Sequence, residues 1–253
     1  MRGNQEQLGI GQTARGLLGL VLDTIYPPAC PSCRVHVGAD GNFCAACFAK
    51  LRVIDAPLCQ CCGIPFVVGV AEEMLCPTCL AEPPDFDIAR SALVYDAISA
   101  PLVTALKFHD QWAGLPRYVQ MMLRLGKPLT DGADMLVPVP LHWRRLWRRK
   151  FNQSALLAFG IAQQTGVPCA PDMLRRIKYT KPQMRLDRAT RLRNVTRAFA
   201  VPDAARALLH DKIVVLVDDV VTTGATANAC ARALKKAGAR EVRVLALART
   251  VKE

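Results

Sequence analysis

Four Cys-x2-Cys pairs, Cys30 with Cys33, Cys44 with Cys47, Cys59 with Cys62 and Cys76 with Cys79, follow one another with gaps of ten, eleven and thirteen residues. A two-residue gap lets one tight turn present both sulfurs to the same ion, and Zn²⁺ takes four thiolates in a tetrahedron. Four such turns make two sites. Neighbouring pairs could share an ion, giving Cys30, Cys33, Cys44 and Cys47 as one site and Cys59, Cys62, Cys76 and Cys79 as the other, or the pairs could be cross-braced. Nine of the eleven cysteines fall between residues 30 and 79, and this clustering favours metal over disulfides. With no open coordination position implied, the metal is expected to be structural, folding a stretch with too little apolar core to fold alone. Gly63, after Cys62, suits a turn with positive φ, and Arg34 and Phe48 hold the equivalent places elsewhere. Cys61, Cys169 and Cys230 are left over and read as small buried hydrophobes.

Beyond Pro83-Pro84 the composition changes to alternating apolar strands and helices, so three parts are expected: a leader helix in 1–25, the cysteine module in 26–84 and an α/β domain in 85–253. Strands are expected at 90–95, 135–139, 213–217 and 241–248, with helices at 100–108, 114–126, 152–165 and 225–237 and short extended pieces at 174–177 and 198–201. The run Ile213-Val214-Val215-Leu216-Val217 has no polar face, as befits a strand covered on both sides of a parallel sheet. The apolar stretch 16–25 is too short to span a bilayer and contains Asp23, and no cleavage pattern follows it, so a cytoplasmic protein without a membrane span is expected.

The strand at 213–217 is followed by Asp218-Asp219-Val220-Val221-Thr222-Thr223-Gly224-Ala225-Thr226, opening into a helix. Open α/β sheets bind ligands at the carboxyl ends of their strands. Backbone N–H groups of Val221 to Thr226, the helix dipole and the hydroxyls of Thr222, Thr223 and Thr226 suit a phosphate dianion. Two carboxylates beside a phosphate require something between them, and a ribose supplies hydroxyls to Asp218 and Asp219 while its 5-phosphate lies in the loop. This segment resembles the phosphoribosyl pyrophosphate (PRPP) motif of type I phosphoribosyltransferases.

The likeness extends to Val137-Pro138-Val139-Pro140-Leu141-His142, Phe151-Asn152-Gln153, Gln183, Arg191, Asn194-Val195 and Ala198-Phe199, which fall in the order of the ComF family. Its members join a double zinc ribbon to a type I phosphoribosyltransferase-like domain. Lys150 departs from the family, which has Gly there, but keeps a positive charge. The resemblance implies that Val139 and Pro140 approach the pyrophosphate, that 175–193 closes over the site with Lys178, Lys181, Arg185, Arg188 and Arg191, and that Mg²⁺ enters with PRPP. No catalytic residue for activating an acceptor is identifiable.

Residues 141–200 hold fourteen Lys or Arg against Asp172 and Asp187, which accounts for the whole net charge of +12 and points to an anionic partner. Within them Trp143 and Trp147 alternate with Arg144, Arg145, Arg148, Arg149 and Lys150, a pattern suited to tracking single-stranded DNA. On a helix the two Trp share one face, so packing into the core is equally expected. His36, His109 and His210 have no partners at ligand spacing. The resemblance to the ComF family implies a PRPP-binding DNA-uptake factor of natural competence working with a helicase, beside which stand a transferase of phosphoribose to an acceptor and a PRPP sensor without turnover.

Overall fold

The computed structural model describes residues 27–38, 42–66, 74–107, 114–177 and 198–251. The expected leader helix and the cations Lys178, Lys181, Arg185, Arg188 and Arg191 lie outside them.

Two short helices, α1 (Ala45–Phe48) and α2 (Pro77–Ala81), belong to the cysteine module. Then come β1 (Ile88–Val94), α3 (Ala100–Ala105), α4 (Leu115–Thr130), β2 (Met135–Pro138), α5 (Trp143–Arg149) and α6 (Gln153–Thr165). The chain continues through β3 (Arg175–Arg176), β4 (Phe199–Ala200), α7 (Asp203–Leu209), β5 (Ile213–Val221), α8 (Ala225–Lys236) and β6 (Glu241–Arg249). Four strands form one sheet in the order β1-β6-β5-β2, all parallel, and β3 pairs with β4 in a separate antiparallel ribbon.

Strand alternation divides the core. Val214 and Leu216 pack with Cys230 and Leu234 of α8 on one face, while Val215 and Val217 pack with Tyr118, Met122, Leu157 and Ile161 of α4 and α6 on the other. β5 is therefore apolar on both faces, as the unbroken run implied.

The helices Trp143–Arg149 and Asp203–Leu209 are not among the expected elements, and several ends shift, two of them with a physical reason on view. β5 continues four residues past Val217 because β6 offers partners as far as Val221 opposite Arg249, so the acid pair lies within the strand and Asp218 stands opposite Ala246. α4 runs through Gly126, where a stop was expected. A Cβ there would come within 2.5 Å of Leu245 Cδ1, so the glycine serves close helix-to-sheet packing.

Neither edge of the sheet is bare. On β1, the Ile54 N–H donates to Ala92 O at 2.9 Å and the Val94 N–H to Arg52 O at 2.8 Å, so a piece of the cysteine module adds an antiparallel rung. On β2, the Leu136 N–H donates to Pro168 O at 2.9 Å and the Ala170 N–H to Leu136 O at 2.8 Å. Capped edges remove the template for pairing with another chain. Among the described residues no helix is long and apolar enough to cross a membrane.

Candidate metal centres and phosphate-loop site

The cysteines assemble in chain-neighbour sets. The sulfurs of Cys30, Cys33, Cys44 and Cys47 lie within 4.8 Å of one another, as do those of Cys59, Cys62, Cys76 and Cys79, which resolves the pairing in favour of the sequential arrangement. Cys33 Sγ and Cys44 Sγ are 3.6 Å apart, and Cys62 Sγ and Cys76 Sγ 3.7 Å. These separations match the roughly 3.8 Å edge of a tetrahedron with Zn–S bonds of about 2.3 Å and far exceed a disulfide bond. The residues thus fit two zinc ions.

Each site joins the same two pieces. The first pair sits in a positive-φ turn, with Arg34 at φ 63° and Gly63 at φ 68°, and the N–H of each donates back to the leading cysteine's carbonyl, Cys30 or Cys59. The second pair begins a helix, Cys44 before α1 and Cys76 before α2. Phe48 is the last residue of α1 and holds no comparable turn. Burial raises the Cys30 and Cys59 thiols, but backbone N–H donors, led by Cys33 and Cys62 respectively, outweigh it and bring them down to about 6 and about 7. Burial, then the negative charge of Cys59 and Cys76, pushes Cys62 up to about 11. Four thiols this close cannot all ionise without a cation between them.

The second site is tied to the sheet. Cys61 O accepts from the Ala89 N–H at 2.7 Å, Cys62 O from Arg249 Nη1, and Cys59 O and Gln60 O from Arg90 Nη1 at 3.5 and 3.0 Å. Of the three cysteines expected to be buried, Cys230 is fully so, while Cys61 and Cys169 are only partly buried where they pack against the core.

At the C-terminal end of β5 the two acids have unlike surroundings. Asp218 is 7% exposed, and its Oδ1 accepts from Ser154 Oγ at 3.1 Å and from the Asp219 N–H at 2.9 Å. Burial, and then the neighbouring Asp219 charge, raises its carboxyl well above the usual range. Asp219 is more open. Its Oδ1 accepts from the Val220 N–H at 2.9 Å, and its Oδ2 accepts from Gln153 Nε2 at 3.2 Å and lies 3.8 Å from Lys107 Nζ. The sequence reading treated the acids as equivalent. Successive strand residues face opposite ways, so one is held inward while the other keeps a route to solvent.

Beyond them Val221 is buried, Thr222 and Thr223 are exposed, and Gly224, Ala225 and Thr226 are half-buried. Gly224 adopts φ 76°, and a Cβ there would meet nothing within 4 Å, so the loop is open above it. Thr223 Oγ1 accepts from the Ala225 N–H at 3.4 Å, and Thr250 holds the turn from below through Val221 O and Thr222 O. At the start of α8 the N-cap, Gly224, offers no side-chain acceptor, so the first N–H groups of the helix lack intrahelical partners beside that space.

Val139 and Pro140 are buried. The Val139 N–H donates to Val217 O at 2.9 Å and its carbonyl accepts from Asn152 Nδ2 at 3.0 Å, so both polar backbone groups have partners within the protein. Asn152 and Gln153 thereby connect β2, α6 and the acid pair. Sequence reasoning missed Lys107, which lies in no motif, and Ser154, which directly follows the Phe151-Asn152-Gln153 run that could have pointed to it.

α5 does not pack its tryptophans inward: Trp143 is 64% and Trp147 83% exposed. The Arg144 guanidinium lies 5.2 Å over the Trp143 ring. Lys150 closes this helix at φ 63°, so it adopts the left-handed conformation that the family's Gly would take. A cavity of about 960 Å³ between the first metal site and α4, lined in part by Phe43, Phe48, Arg117 and Arg124, shares none of the acid or loop residues.

Comparison with known proteins matches residues 21–80 to the double zinc ribbon domain and residues 147–252 to the phosphoribosyl transferase domain. A purine phosphoribosyltransferase from Pyrococcus horikoshii, solved by crystallography, aligns with 22% identity over 51% of this chain and 70% of its own, at a TM-score of 0.31. Competence protein F of Haemophilus influenzae is 30% identical over 87% of this chain and 96% of its own. DNA utilization protein YhgH is 33% identical in Salmonella typhimurium and 31% in Escherichia coli K12, each over 89% of this chain and 98% of the relative. With its double zinc ribbon and phosphoribosyltransferase-like domain, the chain belongs to the family of competence protein F and DNA utilization protein YhgH.

Proposed function

We propose that this is a phosphoribosyltransferase-like protein of DNA uptake and utilisation, which binds PRPP with Mg²⁺ at the β5–α8 turn and single-stranded DNA along α5. The observation that carries the PRPP reading is the open turn at 222–226 placed just after Asp219, a carboxylate that keeps 13% of its surface exposed. A 5-phosphate suits the N–H groups and hydroxyls of the turn, and ribose hydroxyls suit Asp219. Asp218, held inward by Ser154, serves by fixing the strand end and the backbone of Asp219. Any Mg²⁺ would ride on the substrate phosphates.

The names of the relatives support the DNA reading, and so do the exposed Trp143 and Trp147 among cations. Rings on a basic surface bind single strands without sequence preference.

Calorimetry with PRPP and Mg²⁺ tests the first half. Protein carrying Asp218→Asn and Asp219→Asn together is expected to bind about tenfold more weakly or worse, from charge-assisted hydrogen bonds worth roughly 1.5 to 3 kcal/mol each. Equal affinity would overturn it. Pyrophosphate release when bases are supplied separates a transferase from a sensor.

A further inference from the structure

We propose that Lys107 binds the anionic group on C1 of the sugar, and so makes the site selective for a 1-diphosphorylated ribose over ribose 5-phosphate. This rests on the reading of the β5–α8 turn as a phosphate site.

The argument begins with the two faces of the sheet. The turn at 222–226 opens into α8, whose Ala227, Cys230 and Leu234 pack on one face. Lys107 follows α3, whose Leu102 and Val103, with the adjoining Leu106, pack on the other face beside Leu157 and Ile161 of α6. Asp219 stands between: its backbone leads into the turn, while its Oδ2 looks away from it, toward Gln153 Nε2 at 3.2 Å and Lys107 Nζ at 3.8 Å.

In a ribose 5-phosphate the phosphate hangs from C5 beyond C4, the hydroxyls sit on C3 and C2, and C1 lies at the far end of the ring. A sugar with its phosphate in the turn and its hydroxyls on Asp219 carries its C1 substituent past Asp219, onto the side where Lys107 lies. The ammonium is 29% and the carboxylate 13% exposed, so both remain reachable by a ligand. At 3.8 Å the pair is at the long end of ion-pair contact, so the ammonium makes no close hydrogen bond to the carboxylate that a ligand would have to break. Sugar hydroxyls donating to Asp219 would take over the carboxylate's hydrogen bonding and free the ammonium for a diphosphate, a stronger partner than a single carboxylate. Lys107 would also supply positive charge beside an acid pair that otherwise opposes a polyanion.

The test compares PRPP, ribose 5-phosphate and inorganic pyrophosphate by calorimetry with Mg²⁺, on wild type, Lys107→Gln and Lys107→Arg. The expected result is that Lys107→Gln weakens PRPP and pyrophosphate about tenfold while leaving ribose 5-phosphate unchanged, and that Lys107→Arg restores most of the difference. An equal effect on PRPP and ribose 5-phosphate, or none on either, would overturn the proposal by reducing Lys107 to a neutraliser of Asp219. On wild-type protein, PRPP should shield Lys107 from reductive methylation and ribose 5-phosphate should not. Equal labelling with both would overturn it without any variant. Should wild type bind ribose 5-phosphate and PRPP not at all, the phosphate-site reading itself fails, and Lys107 falls with it.

Discussion

Ser154 Oγ donates to Asp218 Oδ1 at 3.1 Å, joining the first turn of α6 to the C-terminal half of β5. The contact is buried and holds the inward acid in place. Replacing Ser154 with Ala would leave that oxygen with the Asp219 N–H alone, and we expect a loss of about 1 to 3 kcal/mol in urea unfolding.

The protonation of Asp218 gives stability a pH dependence of definite sign. Its folded-state pKa is raised, by burial first and Asp219 second, so the folded chain holds a proton that the unfolded chain releases near pH 4. Its stability contribution is full below that pH and is lost as pH rises through the elevated folded value. Asp218→Asn keeps the acceptor oxygen and removes this dependence. The variant should melt a few degrees above wild type at pH 8, at about 2 to 4 °C per kcal/mol for a chain of this size, with the gap narrowing toward pH 5. A constant gap would argue against it.

Lys150 ends α5 at φ 63°, a conformation that a Cβ makes unfavourable by roughly 1 to 2 kcal/mol. Glycine loses more chain entropy on folding, which offsets part of that. Lys150→Gly is therefore expected to raise stability by about 0.5 to 1 kcal/mol in chemical denaturation, although it removes a surface cation.

The two metal centres are unequally tied to the sheet. Cys62→Ser and Cys33→Ser should each reduce zinc from two ions to one by elemental analysis, given their separate sulfur sets. Only the first disturbs carbonyls that meet Ala89 and Arg249, so its melting temperature should fall further, by roughly 10 °C or more. Equal losses would show that the contacts to the sheet add nothing.

On α5 the rings and cations should separate under salt. Trp147→Ala removes an 83% exposed ring and should weaken single-strand binding about tenfold with the salt slope unchanged and the melting temperature nearly so. Arg144→Gln should flatten the salt slope by about one unit. Filter binding across a salt series reads both.

Local patterns were legible in the sequence, and relations across the fold were not. The zinc ligands could be named because two residues of spacing fix two sulfurs on one turn, and the positive φ at Arg34 and Gly63 follows from the same repeat. The acids and the turn could be named because they are contiguous. The different fates of Asp218 and Asp219 depend on what α6 and the segment after α3 bring to each, and those partners are set by sheet order. The helix expected at 114–126 ended at Gly126, but glycine marks both a helix end and a close approach, and only the position of Leu245 decides between them. Four-residue spacing placed Trp143 and Trp147 on one side of a helix, but spacing carries no information on whether that side looks inward.

The rung that residues 52–54 add to β1 also governs how this chain behaves without metal. Chelation that loosens the cysteine module would uncover a row of unpaired amides and carbonyls beside Ala92 and Val94, a surface to which a strand of any neighbouring copy could zip. Zinc held by these cysteines would guard against self-adhesion, and stripped protein should clump before it loses its helices.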